Sequence, residues 1–441
     1  MSTSPVPSGR SGPAAPALVR AIGRWSLTAL ALNVIVGSGI FGLPDDIARR
    51  VGPAAPLAYV IAALGIAVVV ACFAEVASRF QGAGGPYLYA REAFGRFLGL
   101  ETGWFAWLVR ITSAAANANL FVAYAAQFFP PAADPVMRAV LLLLLIGFLA
   151  TVNIRGVQSG TSLSNAFAIA KLVLIAVFVV TGFYFVGGNI HVAATPAPRS
   201  DWLQAILALM FAYGGFEAAL MPLSEARDPR RDAPVALFTA LGIAAVVYVL
   251  IHLVVMGAIP DLATIDLPEV RERPVAEAAR VFLGPTGATF IAIGVMVSAY
   301  GNLAGQFIAA PRLTLALAEQ RDFPAFFSRV HPRFRTPYVS ILVHAVLVAG
   351  LAIAGSFIFN AVLSAAARVL TYAVVCAAVP ALRRQAPGGA AFTLPGGPLL
   401  PIVGLVFCAV MAANMDLTHL GVIGAAALAA AINWAVVRRT R

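Results

Sequence analysis

Two long apolar stretches of this chain are interrupted by glycine in the middle of what reads as membrane-spanning helix. The run from Asn33 to Pro44 carries Gly37, Ser38, Gly39 and Gly42, and the run from Phe211 to Pro222 carries Gly214 and Gly215 followed by Glu217. Hydrocarbon offers no hydrogen bonds to the amides that such a break sets free. Broken backbone therefore persists at membrane depth only where it lines protein or a water-filled cavity. Paired discontinuous helices in two halves of a chain are the sequence pointer to a ligand site in a secondary transporter, because half-helix ends present partial charges to a small solute.

Composition agrees with burial in a bilayer. Of 441 residues 61% are hydrophobic and 11% charged, and the mean hydropathy is +0.88, outside the range of ordinary soluble domains. Apolar runs near the length needed to cross a membrane recur about twelve times, at 25–47, 55–78, 99–128, 136–152, 160–186, 202–223, 233–259, 286–318, 337–356, 358–381, 398–414 and 418–437. The expected fold is an all-α membrane protein. Residues 1–22, rich in Ser, Pro, Gly and Ala and lacking acidic groups, read as a disordered tail with no compact apolar signal core. Residues 23–437 read as one transmembrane domain, and 438–441 as a basic tail.

Most of the 30 basic residues fall in the tails and in the loops that lie inside if the N-terminus is cytoplasmic, which places both termini there by the positive-inside bias. The net charge of +11 is then a record of topology. The arginines are scattered over short loops, so a nucleic-acid face is not indicated. An acidic external segment is expected at about 260–285 and a basic cytoplasmic one at 312–335. Cys72, Cys376 and Cys408 all lie in apolar runs and predict no disulfide framework. The five histidines show no metal-ligand spacing, and no cofactor is indicated.

The glycine interruptions fall in the first and sixth spans. A unit of five spans must insert its second copy upside down, which predicts a five-plus-five inverted repeat over about 25–186 and 202–381, with two added helices at about 398–437. At the first break a helix restarting near Ser38 or Gly39 presents unpaired N–H groups suited to a carboxylate. A close helix-packing patch of small residues is the plainer explanation of either break taken alone, and the matching position of the second weakens it.

These residues resemble the amino acid/polyamine/organocation superfamily. Val-Gly-Ser-Gly-Ile-Phe-Gly-Leu-Pro at 36–44 is similar to its first-helix signature and Phe-Ala-Tyr-Gly-Gly-Phe-Glu at 211–217 to its sixth-helix one. Supporting likeness lies at 84–95 and 310–324, running on to His331, Pro332, Arg333 and Phe334. The resemblance implies that Gly37, Ser38 and Gly39 receive a substrate carboxylate, and that backbone near Ile35, Phe211, Gly214 and Gly215 takes its ammonium group. Phe211 would close over it. It implies an amino acid permease working by alternating access, with protons as a partner and the cytoplasmic (inner) membrane, crossed many times, as its place; the arginine-for-lysine, alanine-rich composition points to a prokaryote.

Three charged positions stand out. Glu217 follows the second break, and a carboxylate at that depth is a functional candidate by default, for contact with a cationic side chain, for titration, or for a partner arginine. Lys171 is the sole lysine of the chain, about ten residues into the fifth span; unlike arginine, a buried lysine can release its proton. The resemblance sets it where sodium-coupled relatives hold a cation, facing the first break and an eighth-helix serine matched by Ser298. Proton coupling and a fixed cationic strut in an exchanger both follow from that placement. Arg110 and Arg368 are expected to bond carbonyls of neighbouring helices, and Glu75 with Arg79 has the i,i+4 spacing of a pair at a helix end.

Other classes fit less well. A phosphate-binding loop needs a lysine after its glycines, and the one lysine is elsewhere, so an ATP-driven pump is excluded as a single-chain activity. A retinal Schiff base on Lys171 leaves the span number and the paired breaks unexplained. A receptor that binds amino acids without moving them is the remaining alternative.

Overall fold

The computed structural model describes residues 23–80, 85–156, 161–187, 201–220, 228–390 and 392–439, with the side chains of 161–170, 229, 230 and 439 excepted. The expected N-terminal tail lies outside the described residues, as do 221–227 at the end of the sixth expected span. No strand occurs among the described residues, and the helices follow the expected runs closely.

The first expected span is three pieces, α1 (Arg24–Ile35), α2 (Gly39–Gly42) and α3 (Pro44–Val51). Then come α4 (Ala55–Ala77), a short α5 (Gly85–Phe94), α6 (Arg96–Ala125), α7 (Pro135–Ile154) and α8 (Thr161–Val186). The sixth span is α9 (Trp202–Tyr213) and α10 (Phe216–Ala219), separated by the second break. The remainder is α11 (Pro229–Ala258), α12 (Pro268–Glu272), α13 (Pro274–Glu319), α14 (Tyr338–Ala354), α15 (Phe357–Gln385), α16 (Leu399–Ala413) and α17 (Leu417–Arg439).

Among the described residues eight stretches are long and apolar enough to cross a membrane, and three shorter apolar helices accompany them. The 30-residue α6, diluted by Arg110, Asn117 and Asn119, completes the twelve passages expected. Ion pairs at helix ends fit an alternating course. Arg24 at the start of α1 pairs with Asp232 at the start of α11, Arg96 at the start of α6 with Asp322 beyond α13, and Glu75 at the end of α4 with Arg383 at the end of α15. In twelve alternating passages all of these ends share the face that carries both termini, called the terminal face below.

The eighth span differs from expectation. After the break at Gly284 the helix of the eighth span restarts at Pro285, next to the expected 286, but a further helical stretch from Pro274 precedes it, so much of the acidic segment at 260–285 is itself helical, in α12 and the first turns of α13. Gly284, at φ +69°, bends α13 immediately before Pro285. That conformation suits glycine, and a proline fits the first turn of the helix that restarts.

The interior is built by α15 against α6, α13 against α6, and α1 and α4 against α11. Tyr59, Tyr124, Tyr213, Tyr248 and Tyr372 are fully buried there. The helices with the largest lipid-facing share, such as α7 and α17, sit at the periphery.

Candidate functional site

Between α1 and α2 the chain leaves helical geometry at Val36 (ψ 79°), and the Gly37 N–H turns back to the Ile35 carbonyl at 2.7 Å. Helix resumes at Gly39, where the Leu43 N–H reaches the Gly39 carbonyl at 3.0 Å. Between α9 and α10, Gly214 is extended and Gly215 takes φ +104°, a region where a side chain is strained. Both breaks expected from the glycines are present, and they meet. A Cβ placed on Gly39 would lie 2.7 Å from the Ala212 Cα, and one on Gly215 would lie 3.1 Å from the Val34 carbonyl oxygen. The two discontinuities therefore touch through main chain.

Two side chains hold them. The Tyr248 hydroxyl is 2.8 Å from the Ile35 carbonyl and 3.0 Å from that of Ala212, so a single O–H serves acceptors from both broken helices. The Lys171 ammonium, 4% exposed, donates to the carbonyls of Asn33 at 2.6 Å and Val36 at 2.7 Å. Carbonyls released where α1 ends are thus answered from α8 and α11. Ser298 is buried on α13, and its Oγ, like that of Ser38 and the Nδ2 of Asn302, has no hydrogen-bond partner among the described residues. Asn302 approaches the first break, since a Cβ on Gly37 would come within 3.5 Å of its Nδ2.

Of the carbonyls considered for an ammonium group, that of Ile35 already accepts from Gly37 and Tyr248, and that of Phe211 accepts from the Gly214 N–H at 3.3 Å. Phe211 packs edge-on against Phe357, with ring centroids 6.0 Å apart, and Phe357 fills the space beside Gly42. Phe357 is the first residue of α15, at the end of that helix opposite the terminal face.

On the terminal-face side lies a cavity of about 70 Å³, walled by Val34 and Gly215 from the two breaks, Glu217, Arg110, Gln306, Arg368, Tyr372 and, toward the terminal face, Tyr87 and Leu313. Gly37, Ser38, Gly39, Phe211 and Gly214 are not on its wall. Glu217 accepts from Arg368 Nε at 3.2 Å, from the Tyr372 hydroxyl at 3.2 Å and from the Gly215 N–H at 3.0 Å. It caps the half-helix that begins beside it and is answered by a guanidinium. Arg368 also donates to Ser364 and Ser113 and lies 5.8 Å from the Phe211 ring centre. A Cβ on Gly214 would strike its guanidinium, so Gly214 makes room for Arg368.

The expectation that Arg368 bonds carbonyls is thereby corrected, because its recorded partners are a carboxylate and two hydroxyls. Arg110 donates to the Gln306 side-chain oxygen at 3.4 Å, besides further interaction within the protein. Glu75 and Arg79 pair as expected, at 3.4 Å, but the closer partner of Glu75 is Arg383, at 2.7 and 2.6 Å to its two oxygens. Tyr87, outside the spans, bonds Asp322, Gln320 and Arg91. Burial, reinforced by Asp322, pushes its phenol up to about 12, so it remains a hydroxyl on the cavity wall.

Tyr248, Tyr372, Tyr87 and Gln306 were not singled out by the sequence. Nothing distinguishes a tyrosine in an apolar run from a core residue. Arg368 did carry a signal, as an intramembrane charge without a local partner.

A family model described as amino acid permease matches residues 22–427. The methylthioribose transporter of Bacillus subtilis is 26% identical over 414 residues, covering 89% of this chain and 87% of that protein. Uncharacterized transporters of Mycobacterium tuberculosis and Mycobacterium bovis are each 30% identical over 445 residues, covering 96% of this chain and 93% of theirs.

Proposed function

The chain belongs to the amino acid permease family, and on that premise we propose that it carries amino acids across the cytoplasmic membrane by alternating access, as proton-coupled uptake. The observation that carries the reading is the contact of the two broken helices beside a largely apolar cavity that holds Arg110, Glu217 and Arg368 on its wall, with Gly39 on Ala212 and Gly215 on Val34. In this reading the N–H groups at Ser38 and Gly39 take the substrate carboxylate, and backbone at Gly214 and Gly215 faces its ammonium group. Phe211 and Phe357 seal the outer side, and the cavity leads toward Tyr87 on the cytoplasmic side, where both termini lie.

Lys171 is the coupling group. Protonated, it holds the carbonyls of Asn33 and Val36 and fixes the end of α1; deprotonated, a neutral amine holds them less firmly and α1 is released to move. Ser298 is the candidate partner on α13. The same two bonds also favour a second reading, an exchanger or exporter in which Lys171 is a permanent strut. The substrate of the Bacillus relative, methylthioribose, extends the panel of solutes worth testing.

The deciding experiment is uptake into proteoliposomes for a panel of amino acids and methylthioribose, with and without a pH gradient and with and without internal solute. Accumulation of an amino acid driven by the gradient alone is expected. Movement only against internal solute selects exchange, and transport of no amino acid ends the reading.

A further inference from the structure

The cavity next to the breaks is walled by two guanidiniums and one carboxylate, an unusual concentration of positive charge at membrane depth. Arg110 stands near the middle of α6 and Arg368 near the middle of α15. Glu217 is engaged by Arg368, by Tyr372 and by the Gly215 amide, so it is poorly placed to receive a cationic substrate. Arg110 lies close enough to both Glu217 and Arg368 to interact with their charges. It has bonds of its own within the protein, including the one to Gln306, and what matters is its place on the cavity wall.

A polar track leads to that place. Ser298, Asn302 and Gln306 recur at four-residue intervals on α13, a spacing that sets side chains on one face of a helix. Asn302 adjoins the first break at Gly37, whereas Gln306 accepts from Arg110. The Ser298 hydroxyl and the Asn302 amide nitrogen have no hydrogen-bond partner among the described residues. One four-residue step advances roughly 6 Å along the helix. A solute whose backbone end rests at the first break is thereby offered a guanidinium about one short side chain away.

We propose that the transported amino acid carries a second carboxylate on its side chain, and that Arg110 receives it. A planar guanidinium fork matches a carboxylate through two parallel hydrogen bonds, which neither a neutral amide nor a cationic side chain provides. Anionic charge also answers the excess of positive charge in a region where charges are weakly screened. The proposal rests on the reading of the breaks as an amino acid site.

The test compares L-glutamate and L-aspartate with the near-isosteric L-glutamine and L-asparagine, and with L-arginine, by ligand-induced thermal shift of the purified full chain and by competition for uptake in proteoliposomes. The acidic member of each pair is expected to bind on the order of 10-fold to 100-fold more tightly than its amide, the scale of one charge-assisted interaction. Arg110→Gln should collapse that ratio to near unity while leaving glutamine binding in place, and Arg110→Lys should restore part of it. Preference for an amide or for arginine in the unaltered protein overturns the acidic specificity and leaves the amino acid reading standing. Binding of none of the five also overturns the acidic specificity, and the amino acid reading is then decided by the wider panel of uptake measurements described above. The ratio in the unaltered protein decides even if the variants do not fold.

Discussion

Glu217 and Arg368 join the second broken helix to the intact α15, with Oε1 and Nε 3.2 Å apart and both side chains largely buried. The pair lies across the break itself, because the other Glu217 oxygen accepts from the Gly215 N–H. Any movement of α10 relative to α15 must therefore stretch or exchange this contact. Removing one partner leaves a buried charge without its counterpart, a loss of about 3–5 kcal/mol, whereas removing both costs much less. Glu217→Gln and Arg368→Gln should each lower thermal stability sharply, and the double variant should be less destabilised than the sum. Additive effects in unfolding measurements would show that the two do not interact.

The glycines at the breaks make a second prediction. Gly39→Ala drives a methyl group into the Ala212 main chain, which cannot swing aside as a flexible side chain would. Gly215→Ala meets both a left-handed backbone and the Val34 carbonyl. Each should destabilise the protein by about 1–3 kcal/mol and suppress transport at unchanged membrane abundance. Gly242, whose Cβ would meet nothing within 4 Å, is the internal control, and its alanine variant should transport normally.

How much of this was legible in the sequence depends on the kind of signal. The breaks were, because glycine inside an apolar run is a local anomaly with few physical explanations. The twelve passages were, because hydropathy is additive along the chain. Lys171 was singled out by being unique and deep, yet its acceptors, the carbonyls of Asn33 and Val36, are main-chain atoms that no side-chain pattern announces. The partner of Glu217 was foreseen only as some arginine. Arg368 is 151 residues away, and a pairing that distant is fixed by helix packing, not by spacing. The helical stretch from Pro274 to the break at Gly284 was missed because its charged residues, Glu277 and Arg280, hide it from an apolar-run reading, whereas the helix that restarts at Pro285 was legible.

Tyr248 supplies a third test. Its single O–H proton reaches one carbonyl at a time, although those of Ile35 and Ala212 are both within 3.0 Å. The hydroxyl can pass between them as the broken helices shift, which keeps one acceptor satisfied throughout. Tyr248→Phe keeps the ring and removes this link, at a cost of about 1–3 kcal/mol for the buried Ala212 acceptor, since the Ile35 carbonyl keeps its bond from the Gly37 N–H. Because Tyr248 is not on the cavity wall, substrate affinity should change by no more than roughly twofold while the maximal rate falls substantially, the pattern of a step after binding. A large loss of affinity with the rate preserved would instead place Tyr248 in contact with substrate.

Lys171 separates coupling from architecture, because its two candidate roles respond differently to two substitutions. Lys171→Ala removes the donor to Asn33 and Val36 and should both destabilise the end of α1, by about 1–3 kcal/mol, and abolish uptake driven by a pH gradient. Lys171→Arg retains a cation that holds its proton at any working pH, so a purely structural strut should survive it in large part. If Lys171 carries the coupled proton, the arginine variant should lose accumulation driven by the pH gradient while exchange of internal for external solute persists. Uptake by the arginine variant that still follows the pH gradient as in the unaltered protein would remove Lys171 from the proton path and leave it as a strut.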